Sequence, residues 1–282
     1  MKNRDFYAII ELKWWYNVPY IRKKNLSSTE SVDIIEKIVY EYLKPLGFRK
    51  HGRTLHRFVD TDISQVVNFQ NGCPSKGVYD ILWVNIGIRV PECVERKFSI
   101  EKPLKKYYHE YECNIRTRLG SLVDGKDTFY DLKKDPYKIG KDIVERLKKF
   151  VIPVFEILNS RDAILKRRIE YTLFDQFNHH LILLEEAMII GRRGDIVEAT
   201  RLFNAYYQNA LAEYNHDLEK GTKTYLKKGE RMIYHNAKTN ETETIIATKN
   251  GYVTTYCANK GHLTYLEELA QELGITLCTP LS

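Results

Sequence analysis

Seven side chains able to bind or to assist chemistry fall in two short stretches of the chain. Arg53, His56, Gln65, Asn68 and Asn85 come first, and Arg116 and Arg118 follow in NIRTRLG. They support two readings. In the first, amides and arginines form a satisfied polar network beneath the helices and fix strand register. Asn85 sits between Val84 and Ile86, and a buried amide left unpaired costs about 1–3 kcal/mol; Gln65, Asn68 and Arg116 could serve it. In the second, Arg116 and Arg118 present guanidinium forks to an anion or acidic partner, with His56, Gln65 and Asn68 beside them.

A second set lies near the end of the chain: His235, Thr255 and His262. A histidine with a threonine or lysine can act on a ribose 2′-hydroxyl and a scissile phosphate, and this order of helices and short strands resembles small ribonuclease domains of bacterial toxins. RNA binding or cleavage through these strands is therefore the alternative function. Other chemistry has little support. There is no G-x-S-x-G elbow and no glycine-rich phosphate loop. His179 and His180 are adjacent, so on a helix they point about 100° apart and cannot act as an H-x-x-x-H pair. No metal site and no cofactor is expected. Glu185-Glu186 and Glu267-Glu268 read as solvated helix faces.

The elements that must position these residues follow from periodicity. Residues 1–30 read as an N-terminal extension, with Phe6, Ile9, Ile10 and Leu12 in a short helix stopped by Pro19. Residues 31–160 read as an α+β domain. Its first helix runs from Val32 to Leu43, capped by Ser31 and ended by Pro45 and Gly47. Strands over Arg53–Val59 and Ile63–Gln70 join through VDTD, and Val78–Val90 is a long strand. On it Leu82, Val84, Ile86, Ile88 and Val90 share one face, opposite Trp83, Asn85, Gly87 and Arg89. A further strand carries Tyr111–Arg118. An amphipathic helix follows from Tyr137, bent at Pro153.

Residues 161–222 read as a helical segment: Arg161–Leu173, Phe177–Gly191 and Ile196–Glu219. The last two form an αα-hairpin, with Asp195 capping its second arm and Ala187 and Ala199 allowing close approach. Residues 223–282 read as a small β-meander with turns at Lys238–Asn240 and Asn250-Gly251, closed by a helix from Leu263 to Leu273 that ends at Gly274. The fold class is thus α+β: an antiparallel sheet with packed helices, then a helical segment, then a small C-terminal β-meander with a closing helix.

Composition bounds the partners. The 282 residues are 43% hydrophobic and 29% charged, ordinary for a globular protein. No apolar run approaches the roughly 18 residues of a membrane span. Asp5 and Glu11 interrupt the apolar N-terminus, which argues against a secretory signal and for the cytoplasm. Five dispersed cysteines, none in C-x-x-C spacing, argue against a disulfide framework and a thiolate zinc site. The net charge of +7 suits an acidic protein or RNA without being a dense basic arm. Twenty tyrosines suit both strand faces and binding surfaces.

The blocks LKPLGFRKHGRTLHRF, QVVNFQ, VNIGI and NIRTRLG, in that order, resemble the bacterial family known as domain of unknown function 4304, over roughly residues 31–160. The family usually has a histidine before the isoleucine of the last block; here Asn114 stands there. Members often occur in contexts of toxin immunity. The resemblance therefore implies a non-enzymatic protein-interaction module that binds a toxin or other protein partner.

Overall fold

The computed structural model describes residues 26–72, 80–100, 105–167, 183–256 and 260–278. The expected N-terminal helix around Phe6–Leu12 and His179-His180 lie outside them.

Helix α1 spans Ser28–Leu43 and starts one turn earlier than its apolar stripe suggests. Ser27 is the cap. Its hydroxyl accepts from the Glu30 amide, and the Glu30 carboxylate accepts from the Ser27 amide, a reciprocal box that leaves Ser31 buried inside the helix. Val32, Ile35, Val39 and Leu43 face the core. Against α1 lies α4, Pro136–Arg146. Gly140 permits that approach, since a Cβ there would sit 2.8 Å from the Ile38 Cδ1. A wide π-helical turn at Leu147–Val151 joins α4 to α5, Ile152–Ile157. Pro153 accounts for it: its ring crowds the carbonyl one turn back, and a wider turn relieves the clash.

The sheet is antiparallel throughout. Strands β1 (Arg49–His51), β2 (Thr54–Val59), β3 (Ile63–Asn71), β4 (Ile81–Arg89) and β5 (Ile115–Arg118) lie in that order. Short β6, Tyr130–Asp131, pairs with the start of β4. The β4 alternation falls as its sequence requires. Leu82, Val84, Ile86 and Ile88 join the core, and Asn85 pairs Asn68 and Arg118 on the other side. That outer face is crossed by a strap, residues 105–113. Gly87 lets the strap approach: a Cβ there would lie 2.7 Å from the Cys113 sulfur.

Helix α2 (Pro91–Glu95) follows β4 and α3 (Leu119–Asp124) follows β5. Beyond α5 come α6 (Arg161–Arg167) and the expected helical hairpin, α7 (Leu183–Arg192) and α8 (Ile196–Lys220). Asp195 caps α8 by accepting from the Glu198 amide, and Ala187 and Ala199 are fully buried. Glu185 and Glu186 correct the solvated reading: they are 3% and 5% exposed, because α7 packs between α2 and α8. Glu267 and Glu268 are exposed.

Among the described residues the C-terminal strands number four. Their pairing is nested rather than consecutive: β7 (Thr222–Leu226) pairs β10 (Gly251–Thr255), and β8 (Arg231–Asn236) pairs β9 (Glu241–Ile246). Asn250-Gly251 thus leads into β10 without closing a hairpin, since Gly251 pairs with Leu226. Helix α9, Lys260–Leu273, closes the chain against α8 and ends at Gly274, where φ is +68°. One hydrophobic cluster runs from Val32 to Ile275 and takes in α7, α8 and α9. No described helix is long and apolar enough to cross a membrane.

Candidate functional site

Strand parity divides the seven nominated residues. Gln65 and Arg53 lie on the inner face, under the helices. The Gln65 amide donates to the Phe155 carbonyl at 2.6 Å, while its oxygen accepts from Arg57 at 2.8 Å. Arg53 pairs with Glu36 of α1 at 3.1 Å. His56, Asn68, Asn85, Arg116 and Arg118 share the outer face, under or beside the strap. The registers Asn68 to Asn85 and Asn85 to Arg118 fix this.

The centre of the outer face is an amide ladder. Asn85 donates to Asn68 at 3.3 Å and to Gln70 at 3.0 Å. Asn68 donates to the Thr54 hydroxyl at 3.0 Å and the Arg53 carbonyl at 3.3 Å. These amides are spent on one another, which makes them register pins. The two arginines also have partners. Arg116 bonds Glu110 of the strap at 2.6 Å, and that bond holds its pKa above the ordinary arginine value. Arg118 pairs with Asp127 and lies over Trp83, 4.9 Å from the ring. Trp83 meets Phe129 edge to face at 6.1 Å. Phe129 is 54% exposed and Tyr111, on the strap, 67%.

At the β1 end the outer face opens into a cleft of about 510 Å³, lined by Arg49, Lys50, His51, His56, Phe58, Lys106 and Tyr107. His51 and Tyr107 stack at 3.5 Å. Aromatic contacts continue along the strap from Tyr107 to His109 and from His109 to Tyr111. His56 is 4% exposed. Burial first, then the charges of Arg49 and His51, push its pKa below the usual 6.5. Of these residues only His56 was singled out by sequence. Three consecutive exposed polar residues carry no alternation, so β1 did not read as a strand.

A second charged cluster also escaped the sequence. Arg161 bonds Glu92 at 2.6 Å and Asp62 at 2.7 Å, and Arg192 bonds both carboxylates. Glu92 is fully buried and Asp62 is 4% exposed. The partners stand between 69 and 130 residues apart, beyond any local pattern. Nearby, Asn114 works as a clasp: it accepts from the Val90 amide at 2.8 Å and donates to Glu185 at 3.2 Å.

The nominated C-terminal residues are engaged separately. His235, exposed, contacts Asn240 at 3.2 Å. The buried Thr255 donates to the Thr222 carbonyl at 3.4 Å. His262 meets Tyr206 of α8 at 3.4 Å. The buried thiols offer no nucleophile: desolvation raises the pKa of Cys93 and of Cys113, and nearby carboxylates add to it. No group of metal-ligating side chains gathers among the described residues.

The sheet and its covering helices are where the family resemblance falls. Residues 39–157 match the family model described as Domain of unknown function (DUF4304). No curated protein and no solved structure matches. The DUF4304 segment contains the whole sheet, the strap and the cleft. It also contains Asp62 and Glu92, whereas Arg161 and Arg192 lie beyond it.

Proposed function

We propose that the chain is a non-enzymatic protein-binding module of the cytoplasm, of the kind that masks a toxin or similar partner, and that it docks through the outer sheet face. The observation that carries this is the exposure of Phe129 against Trp83, which Arg118 covers, with Tyr111 exposed on the strap that crosses the same face. Large aromatics and arginine are the side chains that most often anchor protein interfaces. The amide ladder between them gives a rigid floor, so little order is lost on docking. The basic surplus of the chain favours an acidic partner.

The test is co-purification from the source cells and with the product of the adjacent gene. The parent chain and Tyr111→Ala/Phe129→Ala should be compared side by side. A partner retained by the parent and lost about tenfold or more by the double variant supports the reading. A set of bound proteins identical for both would sink it. The alternative, RNA cleavage, predicts cleavage by the parent that His235→Ala/His262→Ala abolishes.

A further inference from the structure

We infer that the cleft at the β1 end is a binding site for a phosphoryl group on a small ligand of nucleoside-monophosphate size. It is separate from the docking strip of Tyr111, Phe129 and Trp83.

The first argument is charge. Every other arginine of the sheet and its turns has a carboxylate partner: Arg53 with Glu36, Arg57 with Glu156, Arg89 with Glu95, Arg116 with Glu110 and Arg118 with Asp127. Arg49 and Lys106 have no hydrogen-bond or ion-pair partner among the described residues. They line the same cleft, and among the described residues no acidic side chain lines it. Lys50, the third cation there, is held by Glu36 at 2.7 Å.

The second argument is register. Arg49 stands directly opposite His56 in the β1–β2 pairing, and His51 lies two residues on, on the same face. Protonation of His56 is disfavoured opposite Arg49, since like charges across paired strands repel. An anion bound between them would offset that repulsion and favour the protonated imidazole.

The third argument is His56 itself. It is 4% exposed, and its Nδ1 is buried with no hydrogen-bond partner among the described residues. A buried polar atom without a partner is uncommon and calls for a cause. Here burial, Arg49 and His51 all act against its protonation, and a bound dianion would reverse the electrostatic part.

The donors select the ligand. A guanidinium fork, an ammonium and two imidazoles reach the cleft from β1, β2 and the strap. Such a spread suits a tetrahedral, doubly charged oxyanion better than a planar carboxylate. The volume, about 510 Å³, exceeds one oxyanion and lies in the range of small-ligand pockets. Phe58 and Tyr107 line it beside the cations, offering surface to a flat apolar body.

The test is titration calorimetry of the full chain at low salt with adenosine 5′-monophosphate, inorganic phosphate and adenosine. The nucleotide should bind about tenfold or more tightly than phosphate, and adenosine should not register. Arg49→Ala and Lys106→Ala should each weaken nucleotide binding about tenfold or more, and Arg49→Lys should fall between parent and Arg49→Ala. Tyr111→Ala/Phe129→Ala should bind the nucleotide as the parent does, which separates this site from the docking strip. The imidazole resonances of His56 should shift on binding, with their titration moved to higher pH.

Nucleotide binding that equals adenosine binding, or that survives Arg49→Ala and Lys106→Ala in chains with parental circular dichroism, would overturn the assignment. So would a nucleotide no tighter than phosphate, or binding of single-stranded RNA without binding of the mononucleotide.

Discussion

Two clusters of positive charge in this molecule have opposite fates. At the junction of the DUF4304 segment with the helices after it, Arg161 and Arg192 are matched by Asp62 and Glu92, and the carboxylates are buried. At the β1 end, Arg49 and Lys106 stand exposed over a cleft with no acidic side chain among its described lining residues. The first cluster spends its charge inside the fold, joining the β2–β3 turn and α2 to α6 and α7. The second leaves its charge for something outside. Arginine content alone does not distinguish them; what does is whether a carboxylate from another element arrives at the same place.

The largest test of the contrast is Arg161→Met. It leaves Glu92 and Asp62 with Arg192 alone, and a buried carboxylate losing its main partner costs about 3–5 kcal/mol. Denaturant unfolding should therefore show a fall in midpoint large enough to threaten folding at 37 °C. A change below about 1 kcal/mol would place Arg161 with the surface cations and erase the distinction.

Two substitutions of middle size ask whether the sheet's faces differ as their contacts imply. Gln65→Leu on the inner face frees the Phe155 carbonyl and Arg57 of their shared partner and should cost about 1–3 kcal/mol. Gly87→Ala on the outer face pushes a methyl against Cys113 and should cost about 1–3 kcal/mol of overpacking. Only the second should also speed proteolysis within residues 105–113, because it lifts the strap. Equal protease sensitivity in both variants would contradict that separation.

Much of this layout could be read from the chain, and the unread part has a common cause. The β4 strand was legible because Leu82, Val84, Ile86 and Ile88 alternate with Trp83, Asn85 and Gly87, and period 2 states both the strand and its faces. Asp195 and Gly274 announced a helix start and stop through local chemistry. Gln65 and Asn68, three apart on one strand, had to point to opposite faces, so parity alone split the nominated site. Contacts made across distance left no such trace. Arg161 finds Asp62 and Glu92 only through the packing of α6 and α7, and Glu185 looks like a solvated residue until α7 is seen between α2 and α8. The cleft needed both β1, which carries no apolar signal, and the strap laid across from β4.

The smallest predicted effect is the most pointed. Arg49→Ala removes an exposed cation with no internal partner, so at pH 8 stability should stay within about 0.5 kcal/mol of the parent. The acid side carries a sign. His56 has its pKa lowered in the folded chain, by burial foremost and then by Arg49 and His51. The unfolded chain therefore binds more protons at this position, and stability falls as pH drops through about 6.5 toward the folded value. Removing Arg49 takes away one of the charges that lower it. The variant should lose less stability than the parent between about pH 7 and pH 5, and His56→Asn should flatten that slope further. Paired denaturation curves at the two pH values read this directly. An arginine whose loss is neutral in base and mildly favourable in acid has no structural partner, the reverse of Arg161. If instead Arg49→Ala cost more than about 1 kcal/mol at pH 8, Arg49 would be a structural cation, and the cleft would lose the free charge on which its proposed ligand depends.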